Sequence, residues 1–494
     1  MATGESRLET SLLVQALDRA GLLVEVVGEL PDSVAGVADD SRRVAPGVVF
    51  IAVRGSAVDG HEFLSMAASA GASLAVVEDR QSTALPRIIV RDTRRAVAVM
   101  AAEFHGHPAS ALDLVAVTGT NGKTTTVHIL RHLLGRVDGR GASIGTLGVL
   151  LGSAGELLPG GAGLTTPGPV ELQRVLRELV DHDVRAVAME VSSHSLEQHR
   201  VDGLHFDAAV FTNFTRDHLD YHHTMEAYFE AKARLIDHLS PSGVAVVNAD
   251  EPAWRKLRPA SRVLHFSGNG DASAEVAAEG PSFSVRGTEC TFRFGTRAIA
   301  ARLPLIGAFN VENALGAAAV GWALGMTPES VVERLATVPQ VPGRLEVIAD
   351  SPLVLRDYAH TPDALQRALR AVRPFASGRV IVVFGCGGDR DRGKRPQMGR
   401  IAIDEADVVI LTSDNPRTED PERILDDIAV GVGEADYRRV EDRRLAIAEA
   451  LAIADPERDL ILLAGKGHET YQIRGTQRFP FDEAMIVRQL LGER

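Results

Sequence analysis

Short apolar runs recur along the whole chain, and polar turns or helical stretches separate them. In the first part they alternate with an alanine-rich helical pattern, which predicts a small α/β unit. In the middle they predict a doubly wound parallel sheet, and beyond Val341-Pro342-Gly343 a third set begins. The predicted strands are 48–53, 75–77 and 87–90, then 112–117, 186–189, 209–211 and 244–247, and finally 353–355, 380–384, 408–411 and 460–463.

The length of 494 residues indicates more than one hydrophobic core, because single cores seldom exceed about 250–300 residues. We predict an α/β protein of three domains that cover 1–107, 108–341 and 342–494. The breakers Gly106 and Pro108 mark the first boundary. Since ligands of parallel sheets bind at the carboxyl ends of strands, polar clusters at those ends are the candidates for chemistry.

The formal net charge is −13, which argues against a general nucleic-acid or membrane-surface binder, since such proteins present broad basic faces. Only Cys290 and Cys386 are present, too few for a disulfide framework or a cysteine metal site. The first 30 residues lack the pattern of a signal peptide, and no apolar stretch is long enough to cross a membrane. We expect a soluble cytoplasmic protein that is a monomer.

The most specific motif is T-G-T-N-G-K-T-T at 118–125, between a predicted strand and a helical stretch. A glycine-bracketed loop in this position turns backbone N–H groups and a helix N-terminus toward phosphate oxygens. Lys123 would reach the terminal phosphates, and Thr124 would ligate Mg²⁺. The usual P-loop has a glycine where this chain has Val117, and here the glycine comes two residues later, as Gly119. The motif predicts use of a nucleoside triphosphate, with a purely structural turn as the alternative.

A carboxylate follows the predicted strand 186–189, in the sequence E-V-S-S-H. Mg²⁺ held by a P-loop threonine takes a few oxygen ligands besides the phosphates, so Glu190 is a natural second protein ligand. The alternative is that this segment only begins a helix, with Ser192 or Ser193 as its N-cap.

The segment 212–223 follows the next predicted strand and contains two aspartates and three histidines within seven residues. A Zn²⁺ site is conceivable there, although no cysteine or H-E-x-x-H pattern supports it. We favour a second Mg²⁺ site with His218 as ligand, and a solvated loop is the alternative. Lys232 lies in the helical stretch 225–239, where the pattern alone indicates an ordinary surface lysine.

The last third of the chain carries four polar clusters, at 357–360, 385–395, 414–417 and 465–469. The glycines after strand 380–384 suggest a dinucleotide fold, but G-x-G-x-x-G fails because Arg390 replaces its last glycine. A phosphate or carboxylate clamp fits better, since arginine offers a bidentate fork to either group. Arg390, Arg417 and Glu469 together would suit a ligand with both carboxylate and ammonium groups.

Taken in order, these motifs resemble those of the Mur ligases. The series also includes D-S-R at 40–42, D-G-H at 59–61, T-T-P at 165–167, H-R-V at 199–201, G-A-F-N at 307–310 and G-R-L-E at 343–346. In that family three domains bind, in order, the UDP end of a precursor, ATP and an incoming amino acid. The resemblance therefore implies a three-domain Mur ligase fold with a central P-loop parallel sheet and a C-terminal Rossmann-like domain.

The resemblance also assigns residues to each ligand. For ATP it implies Gly119, Thr120, Asn121, Gly122, Lys123, Thr124, Thr125, Asn310, Arg344 and Asp357. For the UDP-muramoyl-peptide it implies Asp39, Ser41, the segment 56–58, Thr165, Thr166, Ser192, Gln198 and Arg200. For the amino acid it implies Arg390, Asp414, Asn415, Pro416, Arg417, Gly465 and Glu469. Mg²⁺ would be held by Thr124, Glu190 and His218, and Lys232 would be N-carboxylated, which makes it carboxylate-like.

The reaction implied by the family is ATP-dependent amide formation in peptidoglycan precursor synthesis, and so in cell-wall growth, cell shape and division. The D-Glu side-chain carboxylate of UDP-MurNAc-L-Ala-D-Glu would take the γ-phosphoryl group, and the amine of meso-diaminopimelate would displace phosphate. Lys123, Glu190, His218 and Lys232 would be the catalytic set, and domain closure is expected. Meso-diaminopimelate is favoured over L-lysine because Arg417 can pair with its second carboxylate.

Two alternatives stay open at this stage. One is the L-lysine-adding enzyme of the same family, and the other is a nucleotide-binding scaffold that keeps the fold without ligation. The chain also departs from the family's pattern in two places. Leu164 replaces an asparagine that many relatives have before T-T, and 56–58 differs from the usual uridine-side residues.

Overall fold

The computed structural model describes residues 7–55, 58–80, 83–135, 140–161 and 163–492. The chain packs as two compact units. The first runs from the N-terminal part through Phe214 and adds His222–His265 and Ala319–Met326. The second consists of Thr215–Tyr221, Phe266–Ala318 and the chain from Thr327 onward.

The first unit begins with a five-stranded sheet in the order β2-β7-β6-β5-β4. Its strands are parallel except for β2, which pairs antiparallel with β7. Apolar side chains of the strands and of α1 and α3 form its core. The strands are β1 (Leu8–Glu9), β2 (Leu23–Val27), β3 (Ser33–Val34), β4 (Gly36–Ala38), β5 (Val48–Ile51), β6 (Leu74–Val77) and β7 (Arg87–Val90), and the helices are α1 (Thr10–Arg19), α2 (Leu64–Ser69) and α3 (Thr93–Phe104).

The same unit contains seven neighbouring strands of a larger sheet, in the order β11-β10-β9-β12-β8-β13-β14. The strands are β8 (Asp113–Thr118), β9 (Gly141–Gly145), β10 (Gly148–Leu151), β11 (Glu156–Leu158), β12 (Ala186–Glu190), β13 (Phe206–Phe211), β14 (Leu239–Asn248) and β15 (Val263–Ser267). The helices are α4 (Lys123–Leu134), α5 (Pro169–Asp181), α6 (Ser193–Glu197), α7 (Leu219–His222) and α8 (Met225–Ala233).

The register of this larger sheet sets the position of the candidate site. Strand β8 lies between β12 and β13 and is parallel to both, with Val117 opposite Glu190 and Val210. The P-loop, Glu190 and the segment that begins at Thr212 therefore leave the sheet at one edge. All three strands are almost wholly buried, as expected for a parallel sheet covered on both faces.

The second unit contains an antiparallel set and a six-stranded sheet. Its strands are β16 (Val276–Ser284), β17 (Gly287–Phe294), β18 (Arg297–Leu303), β19 (Glu346–Asp350), β20 (Leu353–Asp357), β21 (Val380–Phe384), β22 (Val408–Leu411), β23 (Arg438–Arg439), β24 (Leu460–Ala464), β25 (Tyr471–Arg474) and β26 (Gln477–Pro480). Its helices are α9 (Ala308–Ala323, which ends in the first unit), α10 (Pro328–Leu335), α11 (Pro362–Val372), α12 (Lys394–Glu405), α13 (Pro421–Val432), α14 (Arg443–Ile453) and α15 (Glu483–Leu491).

The six-stranded sheet has the order β19-β20-β24-β21-β22-β23. Only β19 is antiparallel to its neighbour. The four polar clusters of the last third follow β20, β21, β22 and β24, and so they meet at one edge. This is the Rossmann-like arrangement that the resemblance implies.

Each strand predicted from an apolar run is present within a few residues of its predicted bounds. The helix predicted over 225–239 is wrong beyond Ala233, where a tight 3₁₀ segment, Arg234–His238, leads into β14. The domain bounds at 107 and 341 stay a prediction. Among the described residues, no helix combines the length and the apolar character needed to span a bilayer.

Candidate active site

The P-loop is fixed by the segment that follows β13. The backbone N–H of Thr120 donates to the carbonyl oxygen of Asn213 at 2.8 Å, and that of Asn121 donates to the Asn213 side-chain oxygen at 2.8 Å. The Thr212 hydroxyl donates to the carbonyl oxygen of Asn121 at 2.7 Å. Three hydrogen bonds to Thr212 and Asn213 therefore hold the loop in place.

The displaced glycine of the motif has a steric explanation. Gly119 has a φ of +147°, and a Cβ there would lie 1.8 Å from the Thr212 hydroxyl oxygen. Val117, which stands where the usual motif has its first glycine, is a buried strand residue paired on both sides. Glycine is therefore needed at 119, where the backbone meets the neighbouring loop, and not at 117.

The two hydroxyl residues and the lysine of the motif begin α4. Thr124 and Thr125 are buried, and the Lys123 ammonium donates to the carbonyl oxygens of Gly119 and Thr120 at 2.8 and 2.9 Å. Gly122 precedes the helix with a φ of +85°. The predicted order of strand, loop and helix is present, and the role of these residues in phosphate binding stays a prediction.

Glu190 ends β12 with 1% of its surface exposed. Its Oε1 accepts a hydrogen bond from the Thr146 backbone N–H at 2.8 Å, and its Oε2 accepts one from the Thr146 hydroxyl at 3.2 Å. A Cβ at Gly145 would lie 2.3 Å from Oε1. Sequence reasoning missed Gly145 and Thr146, although a G-T pair directly after a short buried run was a usable signal.

The N-cap alternative also holds, but it concerns a different residue. Ser192 caps α6, since its hydroxyl accepts from the Ser195 backbone N–H at 3.1 Å. Capping by Ser192 leaves the Glu190 carboxylate at the strand end, held by Thr146. The two interpretations are therefore compatible.

The residues assigned to the muramoyl peptide lie together beside Glu190. The Thr166 hydroxyl donates to the Glu190 carbonyl oxygen at 2.9 Å and accepts from the Ser192 backbone N–H at 3.2 Å. Arg200 donates to the Thr166 carbonyl oxygen at 2.8 Å and to the Gln198 side-chain oxygen at 2.7 Å. The hydroxyl oxygens of Thr165 and Thr146 are 3.3 Å apart.

The uridine-side residues are less fully defined. Asp39 is exposed. Partial desolvation nevertheless raises the pKa of its carboxyl, and the positive charges of Arg43 and Arg200 oppose that rise. Ser41 begins a short 3₁₀ turn, Ser41–Arg43. Positions 56 and 57 of the predicted segment 56–58 lie outside the described residues, and Val58 is exposed. Leu164, at the second departure from the family pattern, is also exposed.

Lys232 contradicts the surface-lysine interpretation. Only 1% of its surface is exposed. Its Nζ donates to the carbonyl oxygen of Gly119 at 2.8 Å and lies 4.5 Å from the centroid of the Tyr228 ring. The Tyr228 hydroxyl in turn lies 3.2 Å from the hydroxyl oxygen of Thr120. Both Lys123 and Lys232 therefore donate to the same P-loop carbonyl.

His218 belongs to the second unit and has a left-handed backbone with a φ of +52°. Its Nε2 lies 3.4 Å from the Asp217 carboxylate, and 43% of its side chain is exposed. Within the described part of the chain, no three His, Cys, Asp or Glu side chains converge as metal ligands. The role of His218 as a Mg²⁺ ligand stays a prediction.

The other residues assigned to the nucleotide also lie in the second unit. The Arg344 guanidinium stacks 4.8 Å from the Tyr358 ring centroid, and the Asp357 carboxylate accepts from the Leu345 backbone N–H at 2.7 Å. Burial raises the pKa of Asp357 to about 6, and Arg344 opposes that rise. Asn310 is buried on α9, where it donates to the Ile306 carbonyl oxygen at 2.8 Å.

The residues assigned to the amino acid converge after β21, β22 and β24. The Asn415 side chain donates to the Glu469 carboxylate at 2.8 Å, and its backbone carbonyl oxygen accepts from the Gly388 N–H at 2.9 Å. Arg417, with a φ of +53°, donates to the Gly388 carbonyl oxygen at 2.8 Å. A Cβ at Gly465 would lie 3.5 Å from the Asp414 carboxylate.

A buried ion pair supports the loop that carries Arg390. Arg395 is fully buried and donates to Glu419 at 2.8 and 3.0 Å and to Asp427 at 2.8 Å. Glu419 also accepts from the backbone N–H of Asp389, the residue before Arg390, at 2.6 Å. The hydrogen bond from Arg395 lowers the pKa of Glu419 to about 2. Sequence reasoning missed Glu419, and it gave no role to Lys466 within the amino-acid cluster.

We expect Glu419→Gln to lower the free energy of unfolding by about 2–4 kcal/mol at pH 7, because it leaves the buried Arg395 short of a carboxylate. The pKa of Glu419 is depressed in the folded state, so its contribution is complete above its ordinary value of 4.5 and is lost as pH falls toward 2. Urea unfolding followed by circular dichroism at pH 7 and at lower pH tests this. The difference in unfolding free energy between Glu419→Gln and wild type should shrink below about pH 4.5. The control Glu434→Gln, at an exposed position, should change the unfolding free energy little at any pH. A difference for Glu419→Gln that does not vary with pH contradicts the prediction.

Comparison with known proteins supplies the context for this site. Three family models match the chain in order: "Mur ligase family, catalytic domain" over residues 33–108, "Mur ligase middle domain" over 117–321 and "Mur ligase, glutamate ligase domain" over 343–467.

Full-length relatives give the same family. A relative from Synechococcus elongatus, named UDP-N-acetylmuramoyl-L-alanyl-D-glutamate--2,6-diaminopimelate ligase, is 46% identical over 480 residues, which cover 94% of this chain and 95% of the relative. A solved structure of a ligase of that name is 35% identical, covers 95% of this chain and 97% of its own, and has a TM-score of 0.68. MurF ligase from Thermotoga maritima in complex with ADP shares the fold at 22% identity, with 92% and 96% of the two chains covered and a TM-score of 0.62. The chain therefore belongs to the Mur ligase family.

Proposed function

We propose that this protein joins meso-diaminopimelate to the D-Glu side-chain carboxylate of UDP-MurNAc-L-Ala-D-Glu at the expense of ATP. The observation that carries the proposal is the shared contact of Lys123 and Lys232 with the Gly119 carbonyl oxygen. This contact links the phosphate loop to Lys232, the buried lysine for which the family resemblance implies N-carboxylation. The names of the relatives supply the substrates for the proposal.

The proposed reaction has two balanced steps. The D-Glu carboxylate oxygen forms a bond to the γ-phosphorus of ATP as the bond to the β-phosphate oxygen breaks, which yields an acyl phosphate and ADP. The neutral amine of the amino acid then attacks the acyl carbon, and phosphate and a proton leave as the amide forms. Lys123 neutralises charge on the transferring phosphoryl group, and the backbone N–H groups of the loop orient it.

The donor set of the first unit fits Mg²⁺. Glu190 offers a buried carboxylate, and Thr124 offers a buried hydroxyl at the start of α4, and hard oxygen ligands of this kind suit this ion. We assign Thr124 and Glu190 to it, and the assignment of His218, which belongs to the second unit, stays a prediction. Bound Mg²⁺ supplies charge neutralisation for the phosphates. Thr146 holds the Glu190 carboxylate in place through two hydrogen bonds.

The second unit supplies the groups that we assign to the amino acid. Arg390 and Arg417 suit the carboxylates of diaminopimelate, and Asp414 and Glu469 together suit one of its ammonium groups. Asn415 joins the two sets, since it contacts Glu469 and the backbone beside Arg417. We place the reaction in the cytoplasm, where ATP and UDP-linked precursors are made.

The test is release of ADP by the purified protein given UDP-MurNAc-L-Ala-D-Glu, ATP, Mg²⁺ and meso-diaminopimelate, with L-lysine as the competing amino acid. We expect turnover with diaminopimelate and a much lower kcat/KM with L-lysine. A preference for L-lysine would favour the lysine-adding enzyme. Tight ATP binding without amino-acid-dependent ADP release would favour a nucleotide-binding scaffold.

Arg417→Ala should act selectively on the second carboxylate. We expect kcat/KM for meso-diaminopimelate to fall about 30- to 1000-fold, because truncating one partner of a desolvated charge pair removes about 2–4 kcal/mol. The slow use of L-lysine, which lacks that carboxylate, should change less than about threefold. Steady-state kinetics with both amino acids measure this, and Arg423→Ala, at an exposed position on α13, is the matched control. Equal losses for both amino acids would contradict the assignment.

A further inference from the structure

Lys466 lies at the centre of the amino-acid cluster, although nothing in the sequence pattern singles it out. Its side chain is fully buried. Its Nζ donates to the Asn415 side-chain oxygen at 3.1 Å and to the Glu469 carboxylate at 3.2 Å, and it lies 3.5 Å from the Asp414 carboxylate. The Tyr471 ring centroid is 5.9 Å away.

The backbone around Lys466 is shaped to bring it there. Gly465 and Gly467 flank it with φ values of +113° and +52°, which side chains at those positions rarely allow. A Cβ at Gly467 would lie 2.7 Å from the Tyr358 Cβ. The turn after β24 therefore buries the lysine between its two glycines rather than exposing it.

Two of the three residues that Lys466 contacts are held from another side as well. The Ile473 backbone N–H donates to the Asn415 side-chain oxygen at 2.9 Å, and the Gln472 side chain donates to the Asp414 carbonyl oxygen at 2.8 Å. Because that Asn415 oxygen accepts from both Lys466 and Ile473, its amide nitrogen is left to donate to Glu469. Strand β25 thus holds the Asp414 backbone and the Asn415 side chain, and Lys466 contacts the side chains of Asp414, Asn415 and Glu469.

The charges in this cluster explain why a buried lysine is needed. Two carboxylates would repel each other in a site of low dielectric constant, and an ammonium between them offsets that repulsion. With Lys466 in place, Asp414 and Glu469 keep one negative charge in excess. That excess matches a single incoming ammonium group.

We infer that Lys466 is a positioning residue for the site that receives an ammonium group of the incoming amino acid. It holds Asp414, Asn415 and Glu469 in the arrangement that receives an ammonium group, and it limits the cluster to one excess negative charge. The inference rests on the proposed function, since it assumes that this cluster binds the amino acid.

The first test compares Lys466→Met, Lys466→Arg and the control Lys256→Met, at an exposed lysine. We expect Lys466→Met to raise KM for meso-diaminopimelate about 10- to 100-fold, while KM for ATP and for the UDP-linked substrate, and kcat, stay within about threefold. Lys466→Arg keeps the charge and should recover part of the loss. An unchanged KM for diaminopimelate in both variants, or parallel losses in all parameters, would overturn the inference.

A double-mutant cycle separates charge balance from a merely structural role. In the wild type, Glu469→Gln should raise KM for diaminopimelate. In the Lys466→Met background the fold increase should be at least three times smaller, because Glu469 has then already lost the ammonium that pairs with it. Additive effects would overturn the inference. If Lys466→Met does not fold, Lys466→Arg is the deciding variant. We then expect the KM for diaminopimelate to rise about 3- to 10-fold while the other parameters stay unchanged. No rise in that KM would overturn the inference. Wild-type protein without turnover would instead refute the proposed function.

Discussion

Lys123→Met is expected to lower kcat by about 10³-fold or more, the largest effect of any single change considered. Its ammonium already lies at the P-loop, where it donates to the carbonyl oxygens of Gly119 and Thr120. In the proposed reaction, that charge meets the phosphoryl group as negative charge spreads over its oxygens. Preorganised electrostatic groups of this kind contribute about 3–4 kcal/mol or more to the transition state.

Single-turnover and steady-state assays of ADP release measure the loss, and calorimetry measures ATP binding separately. Binding should weaken far less than kcat, because backbone N–H groups of the loop still contact the phosphates. Lys256→Met, at an exposed position, should keep wild-type kcat. A Lys123→Met protein with more than a tenth of wild-type kcat would contradict the proposed role.

The sequence was sufficient for those parts of the fold and site that depend on neighbouring residues. Apolar runs of three to six residues predicted the strands, and strand, loop and helix in order predicted the P-loop. The reason for its displaced glycine was out of reach. It depends on the hydroxyl of Thr212, which directly follows the neighbouring strand β13 but lies far along the chain.

Contacts between distant segments account for what the sequence did not reveal. Lys232 meets Gly119 across 113 residues of sequence, and Glu190 receives its two hydrogen bonds from Thr146 across 44. Lys466 and Asn415 are 51 residues apart. Composition and periodicity carry no information on such pairs, so only packing distinguishes a buried lysine from an exposed one.

The buried position of Lys232 also explains how carboxylation would change its role. The neutral amine would attack CO₂, forming an N–C bond and releasing a proton to water. The carbamate nitrogen retains one N–H, so the hydrogen bond to the Gly119 carbonyl oxygen can persist. The group then carries a negative charge beside the phosphate loop, where it can orient a cation.

Lys232→Ala is therefore expected to lower kcat about 10²- to 10³-fold, since it removes both the contact with the loop and the carbamate charge. Lys232→Arg is the discriminating variant, because it keeps a cationic donor for Gly119 but cannot form the carbamate. If the carbamate is required, Arg should be as inactive as Ala, and wild-type activity should fall on removal of bicarbonate and return when it is restored. A ¹³C signal for the carbamate in ¹³C-bicarbonate, absent from Lys232→Arg, would identify the group directly. If Lys232→Arg is active and lacks that signal, the result would instead indicate that Lys232 acts as a cation that holds the P-loop through its hydrogen bond to Gly119.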